Sequence, residues 1–388
     1  MKLKLIITST VAISLDYLLK GQLGYLQNYF EVVAVSGADE HLNKVAIRER
    51  VKIQSVSMHR NISLIEDIAS LWKLYRYLLR EQPSIIHSIT PKAGLLSMVA
   101  GYFAGVPIRM HTFTGLIFPS RNGFMHWLLK NMDRLTCKFA THIVPEGEGV
   151  KWDLIRYHVT YKPLKVIGNG NVNGIDTTYF SRSSITELAI QHTNNSWHIN
   201  SHDFVYIFIG RLVKDKGINE LVEAFIQVNE RYPQTKLLLV GDYEQKLDPL
   251  QEVTKDAIKK HPKIIHTGFQ LDIRPYLAVS DVLTFPSYRE GFPNVVMQAG
   301  AMGLSSIVSN INGCNEIIQE NVNGMIIPSK DIHALENAMI ELLENNDKRK
   351  RLAQNARPLI VEKYEQEMVW QLIKQEYDEQ LKRANIIA

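Results

Sequence analysis

Short apolar, β-branched runs alternate with longer stretches of helical period along most of this chain. That alternation restricts it to βα units laid on a parallel sheet. The first half predicts strands near Lys4–Thr8, Glu31–Ser36, Ser84–Ser88, Ile108–Thr112 and His142–Val144, with long helices over Ile65–Arg80, Pro91–Ala104 and Phe124–Phe139. From Lys165 to His202 the pattern dissolves into Gly168-Asn-Gly-Asn171, Ser181–Ser184 and the polar stretch Gln191–Ser201, and reads as linker. It restarts at Phe204–Ile209 and continues with strands near Lys236–Val240, Ile264–His266, Val282–Phe285, Ser305–Val308 and Met325–Ile327. The residues from Ile332 on are helical by pattern and end in a charged amphipathic segment, Gln366–Arg383, with no strand to serve.

At 388 residues the chain exceeds what one core usually serves, about 150 residues per domain. The expectation is therefore an α/β protein with a first domain over 1–180, a linker over 181–201, a second domain over 202–365 and a final helical piece over 366–388. With 45% hydrophobic and 22% charged residues, the composition excludes a disordered or collagen-like chain. Two cysteines 177 positions apart, Cys137 and Cys314, make no disulfide framework or metal cluster and fit a reducing cytosol. The apolar stretch Leu3–Ile7 is shorter than the roughly 7–15 residues of a signal-peptide core. No run approaches the ~18 apolar residues of a spanning helix. Charge is uneven: residues 1–190 carry 22 Lys and Arg against 14 Asp and Glu, while the remainder carries 22 against 26. A basic half suits nucleic acid, anionic lipid or phosphorylated ligands, and no nucleic-acid recognition motif accompanies it.

Two segments carry chemistry. Pro286-Ser-Tyr-Arg-Glu290-Gly291-Phe292-Pro293-Asn294 joins the strand ending at Phe285 to the helical run Val295–Met302. A carboxylate on such a turn sets an acceptor for sugar hydroxyls beside the N–H groups of a helix's first turn, where a phosphate is favoured. Standing alone, the same residues read equally as a helix cap and a turn. Gly210-Arg211-Leu-Val-Lys-Asp-Lys216-Gly217 follows the strand Phe204–Ile209, so Arg211 and Lys216 can converge on one diphosphate, or form a solvated basic turn. Both follow strands of one domain and so share one sheet edge.

Together these residues resemble the donor-binding domain of the family 4 glycosyltransferases: Gly210-Arg-Leu with Lys216-Gly217, Glu290-Gly-Phe-Pro with a polar residue eight on, and Gly313 with Glu316-Ile-Ile. His87-Ser-Ile-Thr-Pro-Lys-Ala-Gly94, Val106-Pro-Ile-Arg-Met-His111-Thr, Thr114-Gly115 and Asn173-Gly-Ile-Asp176 are similar to the branch acting on lipid-linked oligosaccharides of bacterial capsules, O-antigens or glycoproteins. The resemblance implies a GT-B fold: two Rossmann-like domains facing across a cleft, the first binding acceptor, the second binding nucleotide sugar, and a last helix crossing back to the first. It implies that Arg211 and Lys216 bind the donor diphosphate and that Glu290 holds sugar hydroxyls. Phe292, Asn294 and Val295 then lie near the sugar and phosphate, and His111, at a strand end, near the anomeric centre. Gly21, after Leu18-Leu-Lys20, resembles the loop approaching the phosphates; His87 and Lys92 are weaker candidates, equally a polar cluster at a helix start.

One position departs from the family pattern. A second Glu usually follows the first by eight residues and contacts the ribose, and here stands Gln298. An amide still accepts from one hydroxyl and donates to another. No Asp-x-Asp occurs, so no metal and no cofactor is implied. The family resemblance implies retention of configuration by front-face attack. The expected partners are a UDP-sugar, a polyprenyl-diphosphate-linked saccharide acceptor and an anionic membrane surface, with the protein cytoplasmic and peripheral on the inner face of the membrane. Lys130, Arg134 and Lys138, four apart beside Phe124 and Trp127, and Lys73, Arg76 and Arg80 beside Trp72, Tyr75 and Tyr77, are the candidate lipid-facing rows, or ordinary solvated helix faces. The alternatives are a sugar-nucleotide epimerase or hydrolase on the same fold, and a non-catalytic membrane-associated relative whose Gln298 marks lost donor binding.

Overall fold

The computed structural model describes residues 2–58, 63–244 and 248–387. The chain forms two compact units, Met1–Gly174 with Gln366–Ala388, and Ile175–Glu365. In the first, β1 (Lys4–Thr8), β2 (Glu31–Ser36), β3 (Lys52–Ser55), β4 (Ile85–Ser88), β5 (Ile108–Phe113) and β6 (His142–Pro145) lie in the order β3-β2-β1-β4-β5-β6. In the second, β7 (Phe204–Ile209), β8 (Thr235–Val240), β9 (Ile264–Gly268), β10 (Val282–Phe285), β11 (Ser305–Ser309) and β12 (Gly324–Ile327) lie in the order β12-β11-β10-β7-β8-β9. Read from opposite ends the two orders are the same, and neighbouring strands run parallel. In this doubly wound arrangement ligands gather at the carboxyl ends of the strands, where the order reverses. Those points fall between β1 and β4 in the first unit and between β7 and β10 in the second.

Strand residues alternate faces, and β1 shows it: Leu5 and Ile7 enter one apolar cluster and Ile6 another. The Leu5 side is covered by helix Gln366–Arg383, whose Val369, Ile373, Tyr377 and Leu381 form one stripe at four-residue spacing. The Ile6 side is covered by helices Leu64–Glu81, Pro91–Phe103 and Gly123–Phe139, through Leu74, Leu78, Leu96 and Cys137. In the second unit β7 is buried along its whole length, as the unbroken run Phe204–Ile209 requires of a central strand.

The division between the units falls at Gly174, six residues before the expected boundary, and the expected linker is not one. Helix Glu187–Ser196 runs through its middle, with Thr186 as its cap accepting from the Ala189 amide at 3.3 Å. Ile190 and Trp197 pack against the core of the second unit, so these residues belong to that domain.

Candidate active site

The strand-to-helix loops after β7 and β10 are held together before any ligand is considered. The Tyr288 amide donates to the Asp215 carbonyl at 2.8 Å and Ser287 Oγ donates to the same oxygen at 3.2 Å. Arg289 Nη2 reaches the Asp215 carboxylate at 3.3 Å, and the Asp215 amide donates to Asp248 Oδ2 at 2.6 Å. The Tyr288 hydroxyl donates to Glu220; burial first, and that carboxylate second, keep the phenol protonated far above its ordinary range. Gly217 sits at φ 71°, and a Cβ there would lie 2.1 Å from the Pro286 carbonyl oxygen, so only glycine allows the close approach.

This closure brings Lys216 and Glu290 into a direct ion pair, with side chains only 18% and 14% exposed. The ammonium also lies over the face of Phe285, 5.6 Å from its centroid. Arg211 is different: its side chain is 57% exposed, with Nη1 3.9 Å from Glu244 Oε2. It lines a cavity of about 440 Å³ with Tyr243, Glu244, Phe269, Gln270 and Ile273. Helix Asn294–Ala301 starts just beyond Glu290. The Phe292 ring is buried against Tyr364, 5.5 Å between centroids, so only its main chain is offered to the loop. Val295 packs on the core, Asn294 opens the helix and Gln298 lies half-buried one turn on.

In the first unit two expectations are corrected. β5 runs on to Phe113, so His111 is inside the strand and not at its end. Its ring is 1% exposed, with Nδ1 2.8 Å from Ser88 Oγ and the face of Phe113 4.4 Å away centroid to centroid. Burial first, with His87 nearby, pushes its pKa down to about 3, so the ring is neutral. Thr114 and Gly115 occupy the strand's carboxyl end instead. Gly21 does not offer its amide to a phosphate: that N–H donates to Glu49 Oε1 at 2.9 Å, and the carboxylate's other oxygen takes the Gly24 amide at 2.9 Å. The same carboxylate is paired with Arg48 Nε at 2.6 Å, so the Gly21 amide belongs to a closed network within the first unit. The two weaker candidates are held within the first unit, Lys92 by Asp67 at 2.7 Å and His87 by Tyr377 and Thr112.

Other residues went unforeseen. Thr10 and Thr90 stand at the switch point of the first sheet, hydroxyls 2.8 Å apart, and Thr10 Oγ1 accepts from the Ala93 amide at 3.1 Å. The pair Ser9-Thr10 directly after the strand Lys4–Thr8 was the available signal. Asp215, Ser287 and Tyr288 had none, because their pairing joins loops more than 70 residues apart. Among the described residues no group of three or more His, Cys, Asp or Glu side chains is arranged to hold a metal ion.

Comparison with known proteins matches residues 190–358 to the family described as "Glycosyl transferases group 1" and residues 20–177 to "Glycosyltransferase Family 4". The capsular polysaccharide biosynthesis glycosyltransferase CapM of Staphylococcus aureus is 27% identical over 95% of this chain and 95% of its own length. The UDP-Gal:alpha-D-GlcNAc-diphosphoundecaprenol alpha-1,3-galactosyltransferase of Escherichia coli is 30% identical over 74% of this chain and 73% of its own. Among solved structures, Anabaena Alr3699/HepE in complex with UDP superposes with a TM-score of 0.81 at 18% identity, covering 98% of this chain and all of that one. Two doubly wound units with this likeness define the GT-B fold. The chain belongs to glycosyltransferase family 4.

Proposed function

We propose that this glycosyltransferase moves a sugar from a UDP-sugar, with retention of configuration, onto a polyprenyl-diphosphate-linked saccharide in capsule or O-antigen assembly. The observation that carries the reading is the meeting of Lys216 and Glu290 at the switch point of the second sheet, with Arg211 on the same loop. Glu290 accepts from sugar hydroxyls; Lys216 and Arg211 take the diphosphate; the cavity beside Arg211, walled by the exposed ring of Phe269, receives the base. As the sugar–phosphate bond breaks, negative charge grows on the leaving diphosphate. The two cations and the start of helix Asn294–Ala301 stabilise that charge. The acceptor hydroxyl attacks from the same face and passes its proton to the departing phosphate oxygen. UDP in Anabaena HepE and the diphosphoundecaprenol acceptor of the Escherichia coli relative support the choice of donor and acceptor.

The lipid tail of such an acceptor requires a surface, and the first unit supplies a candidate. On helix Leu64–Glu81, exposed Ile65, Ile68 and Trp72 precede Lys73, Arg76 and Arg80. On helix Gly123–Phe139, Phe124 and Trp127 stack 5.8 Å apart ahead of Lys130, Arg134 and Lys138. Both helices cover the same face of the sheet, which suits adsorption to the inner face of an anionic membrane at about 1 kcal/mol per charge. No described helix is long and apolar enough to cross a membrane.

The reading is tested by Glu290→Ala, assayed with UDP-sugars and a polyprenyl-diphosphate-linked GlcNAc. Transfer is expected to fall at least about a hundredfold, roughly 2.7 kcal/mol, with the melting temperature kept. Turnover within a few fold of the parent overturns the assignment.

A further inference from the structure

We infer that the Lys216–Glu290 pair is an exchangeable contact that makes the donor site prefer an intact nucleotide sugar over the nucleoside diphosphate left after transfer. The inference rests on the donor-site reading above. Both members of the pair are sheltered, so each is the other's counter-charge in a setting where charges interact more strongly than in water. Arg211, largely in solvent, is under no such constraint. Of the two cations that face a diphosphate, one is therefore available from the outset and the other is occupied by the carboxylate that receives the sugar.

A nucleoside diphosphate arriving alone must draw the ammonium off Glu290 and leave a sheltered carboxylate without a partner, which is costly. A nucleotide sugar brings its own replacement: its hydroxyls donate to Glu290 while Lys216 turns to the phosphates. When the sugar has gone to the acceptor those donors are gone too. Glu290 then competes again for Lys216 and weakens the hold on the product. The exchange needs only side-chain movement, because the Tyr288-to-Asp215 and Ser287-to-Asp215 hydrogen bonds fix the two loops and lysine's four-carbon stem is flexible.

Calorimetric titration of the full chain with UDP, a probe that carries no sugar, separates the possibilities. If Glu290 serves the sugar alone, Glu290→Gln leaves UDP affinity unchanged. The exchange predicts that Glu290→Gln binds UDP about tenfold more tightly, equivalent to about 1.4 kcal/mol, and that the gain vanishes in a Lys216→Gln background. Unchanged or weaker UDP binding by Glu290→Gln, while Lys216→Gln and Arg211→Gln each lose affinity, overturns the exchange and leaves the donor site standing. A gain that persists without Lys216 also overturns it, since the effect is then one of net charge. Wild-type UDP affinity in both Lys216→Gln and Arg211→Gln overturns the donor site itself.

Discussion

Tyr377 and His87, 290 positions apart in the chain, share a buried hydrogen bond of 2.6 Å between the phenol and Nδ1. The other ring nitrogen meets Thr112 Oγ1 at 2.7 Å, so one neutral imidazole clasps helix Gln366–Arg383 to strand β5. A neutral ring suits this place because it offers one donor and one acceptor. A protonated ring would be a buried cation with two donors.

The clasp therefore predicts a histidine contribution to stability that is lost in mild acid. Burial lowers the pKa of His87 to about 4 and that of His111 to about 3, against about 6.5 for an unfolded histidine. Well above pH 6.5 neither state binds these protons and the histidine contribution is complete. As pH falls toward 4 the unfolded chain takes them up and the folded one does not, so folding weakens by on the order of 2 kcal/mol per histidine between pH 7 and 5. Burial pushes the Asp133 carboxyl up to about 7, which adds stability as pH falls through the same range, so the check is the difference in urea unfolding midpoint between the parent and His87→Gln across it; a difference that does not change with pH contradicts the clasp.

Gly94→Ala tests how tightly His111 is enclosed. An added Cβ would lie 2.4 Å from the ring's Cε1, within a helix where alanine is otherwise favoured by up to about 1 kcal/mol. Overpacking of this kind costs about 1–3 kcal/mol, so a net loss of stability is expected, and His111→Ala in the same chain should recover much of it. A thermal melt of the single and double variants decides the sign.

Gln298→Glu restores the carboxylate usual at this place in the family. Two ribose hydroxyls can both donate to it, so UDP-sugar affinity should hold or improve. A loss beyond about tenfold, 1.4 kcal/mol by direct titration, would mean that the Gln298 amide N–H₂ is needed as a donor.

The proposed lipid-facing surface is tested by replacing Lys130, Arg134 and Lys138 with glutamine. Binding to vesicles containing anionic lipid should weaken, and activity on a long-chain polyprenyl acceptor should drop with it. Activity on a short soluble acceptor should stay, because the donor groups are in the other unit. Added salt should erase the difference, as exposed charges are screened beyond about 8 Å at physiological ionic strength. Arg134 also donates to the His158 carbonyl at 3.1 Å, so equal loss on both acceptors would indicate a structural role.

Much of the sheet was legible because central parallel strands are continuous apolar runs. Lys4–Thr8, Glu31–Ser36, Phe204–Ile209 and Val282–Phe285 fall where those runs predict. The edge strand Lys52–Ser55 escaped, since it is paired on one side only, half in solvent, and carries a single apolar residue, Ile53. Helix Glu187–Ser196 was hidden by polar residues, although Thr186 three before Ala189 is a readable cap. In the candidate site, Arg211, Lys216 and Glu290 were visible because short motifs follow strands of one sheet. The surroundings of His111 and Gly21 were not, because Ser88, Gly94, Glu49 and Trp370 reach them only through the tertiary fold.

The stripe Val369, Ile373, Tyr377 and Leu381 has a consequence for biosynthesis. These residues seal one face of the first sheet, yet the ribosome makes them only after the 191 residues of the second unit, Ile175–Glu365. At about 5–20 residues per second, the nascent chain carries the cluster of Leu5 and Ile7 with only its earlier members, such as Leu15, Leu19, Leu23 and Leu42, and without this stripe for roughly 10–40 s. The second unit is itself complete only when Glu365 has been made, so the first unit waits through the whole of its synthesis. The usual N-terminal-first order is thereby suspended: the unit begun first cannot complete its core until the unit begun second has been fully made.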